Sequence, residues 1–201
     1  MVNIAVLVSG GGTNLQALLD AQRAGTLKSG NIALVVSSKA DAYALERAKA
    51  AGIDTAVLEK EEQPAAYGEK LIALLRAHEI GLVVLAGFML ILHANVIRAY
   101  ENRIVNVHPS LIPSFCGAGY YGLKVHKAAL DKGVKVTGAT VHLVNEIPDG
   151  GKILAQKAVK VKKRDTPESL QKRVMEKAEW VLLPEQTEKL AKALGKRDKK
   201  A

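Results

Sequence analysis

Val2-Asn3-Ile4-Ala5-Val6-Leu7-Val8-Ser9-Gly10-Gly11-Gly12-Thr13-Asn14-Leu15-Gln16-Ala17-Leu18-Leu19 is the stretch that decides the fold. Residues 2–8 are a continuous apolar run, which predicts a strand buried on both faces. Leu15, Leu18 and Leu19 then recur at helical spacing, so 14–23 reads as a helix. The joint between them is glycine-rich. Glycines let main-chain N–H groups approach an anion closely, and a helix start adds a favourable dipole. Thr13 or Asn14 is also a candidate cap for that helix. A phosphate is the natural ligand, and a purely structural tight turn is the alternative. Gly10 and Gly12 match the first two positions of G-x-G-x-x-G, but the third falls on Leu15. The next strand ends Val36-Ser37-Ser38, with no acidic residue to hold a ribose, and no Walker lysine follows the glycines. A phosphate monoester is therefore favoured over a dinucleotide or ATP.

Outward from this unit the same alternation continues. Strands are predicted at 32–36, 55–58, 82–85 and 104–107, with helices at 41–51 and 65–78 between them. Continuous apolar strands alternating with helices imply a mostly parallel, Rossmann-like α/β sheet with helices on both faces. The pattern then changes. Residues 136–144 and 153–161 alternate like half-exposed strands around the turn Asn145-Glu146-Ile147-Pro148-Asp149-Gly150-Gly151, which predicts an antiparallel C-terminal extension. A long helix is expected over 167–194, with Pro184 as its candidate break. His93 and His126 fall in helical stretches and His78 in a helix tail, and all three read as structural or exposed. No repeats or low-complexity linkers divide the chain, so it reads as one domain over 1–195 with a basic, disordered tail at 196–201.

The bulk numbers narrow the function class. A chain of 201 residues with 48% hydrophobic and 24% charged residues fits one globular α/β domain, and 4% aromatics make its core aliphatic. The lone Cys116 precludes an internal disulfide and fits a reducing compartment. No basic leader or membrane-length apolar run is visible, so a cytoplasmic enzyme is expected. The net charge of +9 concentrates at 157–164 and in the tail, without interleaved aromatics. That pattern favours anionic small substrates over nucleic acid or membrane. No His or Cys spacing points to a metal.

The chemistry is carried by Arg103-Ile104-Val105-Asn106-Val107-His108-Pro109-Ser110. On a strand Asn106 and His108 project from the same side, and Pro109 holds the backbone of His108 extended. An amide donor beside an imidazole makes an acyl-transfer pair, with a polar strand end as the alternative reading. Thr140 and His142 repeat the spacing on a later strand. Asp149 reads either as a turn former or as a carboxylate that orients a histidine. The glycine-rich loop 112–123, with Tyr120 and Tyr121, is either a cleft wall or a surface connection.

Taken with Leu85-Ala86-Gly87-Phe88-Met89 and Thr140-Val141-His142, these motifs closely resemble the folate-dependent formyltransferases, in particular the glycinamide ribonucleotide transformylases of purine synthesis. The similarity runs over nearly the whole chain in the family's motif order. The resemblance implies a single-domain formyltransferase fold. It implies transfer of a formyl group from 10-formyltetrahydrofolate to the amine of phosphoribosylglycinamide, with small-molecule partners only, no metal, and a homodimer left open. It assigns Asn106 and a protonated His108 to the oxyanion, and Asp149 to orienting His108 and a relaying water. Gly12, Thr13, Asn14 and Glu179 would hold the phosphoribosyl substrate. Leu85, Met89, Leu90, Leu92, Ile97 and Ile104 would line the folate pocket, together with Thr140, Val141, His142, Leu143 and the backbone that follows. Three departures stand out. Leu90 replaces a basic residue found in many members. Met175 occupies a polar position with a one-residue difference in spacing ahead of Glu179. Lys152 stands where proline is common. Another folate-dependent formyl transferase or hydrolase, or a phosphate-binding module with decayed catalysis, is the alternative.

Overall fold

Five strands run parallel: β1 (Val2–Val8), β2 (Gly30–Ser37), β3 (Asp54–Val57), β4 (Ile80–Leu85) and β5 (Ile104–His108). β6 (Val136–Leu143) pairs antiparallel to β5, and β7 (Ile153–Lys160) antiparallel to β6. In this computed structural model, which describes residues 1–197, they form a seven-stranded sheet in the order β3-β2-β1-β4-β5-β6-β7. The apolar strands supply two cores. Ile4, Val6, Val8, Leu82 and Val84 face one, whereas Ala5, Leu7, Val83 and Leu85 face the other. Alternate side chains leave a strand on opposite faces, so a run apolar throughout needs helices on both. The first face is covered by α1 (Thr13–Arg23), α2 (Tyr43–Ala50), α6 (Pro167–Val174) and α7 (Trp180–Arg197), the second by α3 (Pro64–Ala77) and α4 (Ala94–Ala99). α5 (Leu123–Lys132) follows the glycine-rich loop and ends at Gly133 in the left-handed conformation.

The chain leaves β1 towards β2 and later returns on its other side to β4. A crevice opens at the carboxyl ends of the strands where the winding reverses. That place receives the glycine loop from β1, Leu85 from β4, and Asn106 and His108 from β5.

Three expectations are corrected. Pro184 lies inside α7 without ending it; the irregularity is a π turn at Met175–Glu179. Pro184 has no N–H to offer the carbonyl of Trp180, and the widened turn ends just before that residue. β6 is not half-exposed: Thr137 through His142 are buried, with β5 and β7 on either side, and of these two C-terminal strands it is β7 that lies at the sheet edge. Lys196 and Arg197 continue α7 rather than starting a tail, and the rest of 196–201 lies outside the described residues. No helix among the described residues is long and apolar enough to cross a membrane.

Candidate active site

Backbone geometry builds one end of the crevice. The Ser9 hydroxyl lies 2.6 Å from that of Ser38 and accepts the Met89 N–H at 2.9 Å, so the ends of β1, β2 and β4 are tied together. Gly12 takes φ 71°, and a Cβ there would sit 2.7 Å from the Ala44 methyl and 2.9 Å from its Cα. Only glycine meets both demands. Neither Thr13 nor Asn14 caps α1; Gly12 occupies the cap position and no side chain bonds there. Asn14 instead donates to Glu179 Oε2 at 2.8 Å in a buried contact. Burial pushes the Glu179 carboxyl up to about 7, against the lowering effect of the Asn14 amide. The π turn takes up one residue more than an α turn, and Glu179 is its last residue, facing Asn14.

Side chains build the other end. Across the β5–β6 pairing Asn106 lies opposite His142 and His108 opposite Thr140, so all four share a face. Asp149 follows at φ 55°, at a reversal where a Cβ on Gly151 would fall 1.7 Å from the Leu143 carbonyl oxygen. Its carboxylate is not merely a turn former. Oδ2 accepts the Gly117 N–H at 2.8 Å and lies 3.4 Å from His108 Nδ1, while Oδ1 lies 3.4 Å from His142 Nε2. Burial pushes the Asp149 pKa up, but the adjacent His142, the Gly117 N–H and His108 outweigh it and leave the carboxyl below its usual range.

Carbonyls fix the imidazole protons, because a carbonyl can only accept. His142 Nδ1 donates to the Leu143 oxygen at 2.8 Å, so in the neutral ring Nε2 accepts from the Asn106 amide at 3.2 Å. His108 Nε2 donates to the Phe115 oxygen at 2.8 Å, which turns Nδ1 to Asp149. Burial pulls the His108 pKa below its usual value; Asp149 and the Phe115 carbonyl oppose this, and His142 adds to it. In the free site burial thus favours the neutral imidazole of His108 relative to an exposed histidine.

Both ends open into one cleft of about 600 Å³, lined by the glycine loop, the Leu85–Leu92 segment, the Asn–His strand end and the loop after β6. The sequence matches the formyl transferase family over residues 2–186. The chain belongs to that family. It is 41% identical over 175 residues to the phosphoribosylglycinamide formyltransferase of Escherichia coli (strain K12), covering 86% of this chain and 80% of that one. It is also 41% identical over 175 residues to the chloroplastic enzyme of that name from Arabidopsis thaliana, of which it spans 60%. Glycinamide ribonucleotide transformylase 1 from Symbiobacterium toebii superposes with a TM-score of 0.90 at 42% identity, over 96% of this chain and 89% of that chain. Membership implies a folate-derived formyl donor.

Most of the expected residues of this formyl transferase meet in the cleft: Gly12, Thr13, Asn14, Leu85, Met89, Leu90, Leu92, Ile97, Asn106, His108, His142, Asp149 and Glu179. Four do not. Ile104 and Val141 belong to the two cores beneath it. Thr140 is buried, donating to the Ser110 carbonyl at 2.7 Å and accepting from Ile112 N–H and Gln156 Nε2. Leu143 turns its carbonyl to His142 and does not line the cleft. Alternation on β6 explains Val141 and Leu143, which leave the sheet opposite to His142, whereas Thr140 shares the His142 face but lies beneath the chain at Ser110 and Ile112. The glycine-rich loop is a cleft wall, contributing Gly117, Gly119, Tyr120 and Tyr121 among others. His126 was not singled out by its sequence context, yet it is fully buried at the cleft with neither ring nitrogen bonded. Burial, with His108 nearby, pulls its pKa to about 4. Its place between Val125 and Ala129 on the inner face of α5 was the available signal. Cys116 donates to the Pro113 carbonyl at 3.3 Å, and burial raises its thiol pKa, so it is no activated nucleophile. Among the described residues no group of three or more His, Cys, Asp or Glu could hold a metal ion.

Proposed function

We propose that this formyl transferase is a cytoplasmic phosphoribosylglycinamide formyltransferase of purine synthesis, using 10-formyltetrahydrofolate as donor. One observation carries this reading beyond the family: a phosphate-type glycine loop and an Asn–His–Asp cluster face the same cleft. The donor fits the remaining wall. Leu85, Leu92 and Ile97 offer an apolar surface for a flat ring, and the main chain around Val144 and Asn145 offers polar groups at its edge. When bound, the donor supplies a formyl carbon activated for attack by an amine.

The residues then divide the work. Main-chain N–H groups of the glycine loop bind the substrate phosphate, and Asn14 with Glu179 contacts the ribose side. The substrate amine forms a bond to the formyl carbon, and the bond from that carbon to the folate nitrogen breaks. Asn106 donates to the formyl oxygen as negative charge develops on it. His108, neutral in the free site, gains charge during transfer, and the Asp149 carboxylate stabilises that charge. The amine proton passes to the departing nitrogen through water held near Asp149.

Formyl transfer to phosphoribosylglycinamide, measured against hydrolysis of 10-formyltetrahydrofolate without the amine, tests the reading. Transfer should dominate. Equal hydrolysis with and without the amine would instead mark a hydrolase.

A further inference from the structure

The glycine loop is gripped from behind by α2, which lies outside the active-site cleft. The Gly10 carbonyl accepts the Ala44 N–H at 3.0 Å, and the Gly11 carbonyl accepts Arg47 Nε at 2.8 Å. In a trans peptide the carbonyl and the following N–H point in opposite directions. With both carbonyls turned to α2, the N–H groups of Gly11 and Gly12 are turned away from it, to the cleft side. Gly10, Gly11 and Gly12 line that cleft, and a Cβ built on Gly10 or Gly11 would meet nothing within 4 Å.

We propose that Arg47 is the positioning residue of the phosphate subsite. It sets the Gly11–Gly12 peptide so that its N–H donates to the substrate's phosphate, and it places a positive charge behind that peptide. The proposal rests on the phosphoribosyl substrate argued above.

The guanidinium is itself fixed on three sides. Nε holds Gly11, Nη1 donates to Gln16 Oε1 at 2.9 Å, and the group lies 5.0 Å from the centre of the Tyr43 ring. Tyr43 and Arg47 are one helical turn apart, so α2 presents them together. A rigid two-armed fork stacked on an aromatic ring is a role that arginine fills and lysine fills only in part. A cation on the carbonyl also polarises the peptide and strengthens its N–H as a donor.

Steady-state transfer with phosphoribosylglycinamide and with ribosylglycinamide lacking the phosphate tests this. Arg47→Ala should raise KM for the phosphorylated substrate about 10-fold, the effect of losing a charge-assisted bond. KM for 10-formyltetrahydrofolate and kcat should be unchanged. On the dephosphorylated substrate the variant and the wild type should have equal kcat/KM. Arg47→Lys should recover part of the loss. Gln16→Ala, which frees one arm of the fork and leaves the Gly11 bond, should show a smaller rise confined to the same substrate. Equal losses on both substrates, or an unchanged KM in a folded Arg47→Ala protein, would overturn the assignment. A wild type with no preference for the phosphorylated substrate would overturn the underlying reading before any variant is made.

Discussion

The two ends of the cleft hold their working groups by different means. At the glycine end the donors are main-chain amides, set by carbonyls bonded to α2 and by the left-handed Gly12. At the imidazole end they are side chains on paired strands, locked by the Phe115 and Leu143 carbonyls and by Asp149. Main-chain amides do not titrate, and their positions survive most side-chain changes. Imidazoles and carboxylates do titrate, and each depends on its neighbours. The glycine end should therefore govern affinity for one substrate, and the imidazole end should govern rate and its pH dependence.

The largest effects belong to the imidazole end. Asn106→Ala should lower kcat by about 10²–10³-fold with little change in KM, since its amide meets charge that develops only in the transition state. Asp149→Asn removes the charge that raises the His108 pKa against burial. The limb of the kcat/KM profile that reports His108 should move to lower pH, because the neutral imidazole then persists further into acid. His108→Ala combined with Asp149→Asn should cost less than the sum of the singles. Near-wild-type turnover in folded Asn106→Ala would remove the distinction between the two ends.

At the glycine end the matching change is Gly12→Val. It places a branched residue at φ 71° and drives its Cβ into Ala44. The strain is about 1–3 kcal/mol before the collision with α2 is counted. Calorimetry should show phosphoribosyl substrate binding weakened far more than folate binding. Equal loss of both ligands, with the fold intact, would mean that the loop is only a structural turn.

The contrast also explains what was legible in the sequence. The parallel sheet could be read because Val2–Val8 and Ile80–Leu85 are apolar on both faces, a local signal. The glycine loop was legible for the same reason, since a strand, glycines and a helix follow one another. Asp149 was assigned only through the resemblance and not from its spacing, because its contacts with His108 and His142 depend on the β5–β6 register and on the reversal at Gly151. Val141 and Thr140 illustrate the opposite error: motif membership does not say which side of a buried strand faces the cleft, nor that Thr140, on the His142 face, is taken up by bonds to Ser110, Ile112 and Gln156. Arg47 left no mark at all, since its work is done on a carbonyl 36 positions away in the chain.

Glu179 is the exception at the glycine end, a titratable group among main-chain donors. Its folded pKa, about 7, is raised above the usual 4.5, so the folded protein binds more protons between those values. Stability should fall as pH rises through that window, by at most about 1.4 kcal/mol per pH unit. His126 acts in reverse. Its pKa is lowered from 6.5 to about 4, so the unfolded chain binds more protons there and stability should fall as pH drops through that range. The two slopes offset each other. Glu179→Gln keeps an acceptor for Asn14 and removes one slope. Thermal unfolding of the variant should then show Tm rising from pH 4.5 to 6.5, where the wild type stays nearly flat. Parallel wild-type and variant curves would show that Glu179 carries no such linkage.

The smallest expected effect lies at the mouth. Leu90 lines the cleft and packs on the second core, at the position where the family resemblance leads one to expect a basic residue. Glu146, which lines the cleft, is already paired, with Arg98 Nε 3.1 Å from its Oε1. A polyglutamate tail leaving the donor would meet only screened attraction from the protein's net positive charge. Exposed pairs contribute about 0–1 kcal/mol, so mono- and polyglutamylated donors should differ in KM by less than about 5-fold. Leu90→Arg should widen that difference by a similar small factor, and added salt should erase the gain because the new charge is solvated. Neither change should touch kcat or the KM of the phosphoribosyl substrate. A wild type that strongly prefers the polyglutamylated donor would mean that another cation reads the tail. In that case side-chain charge, and not only the main chain of the glycine loop, would set affinity in this cleft.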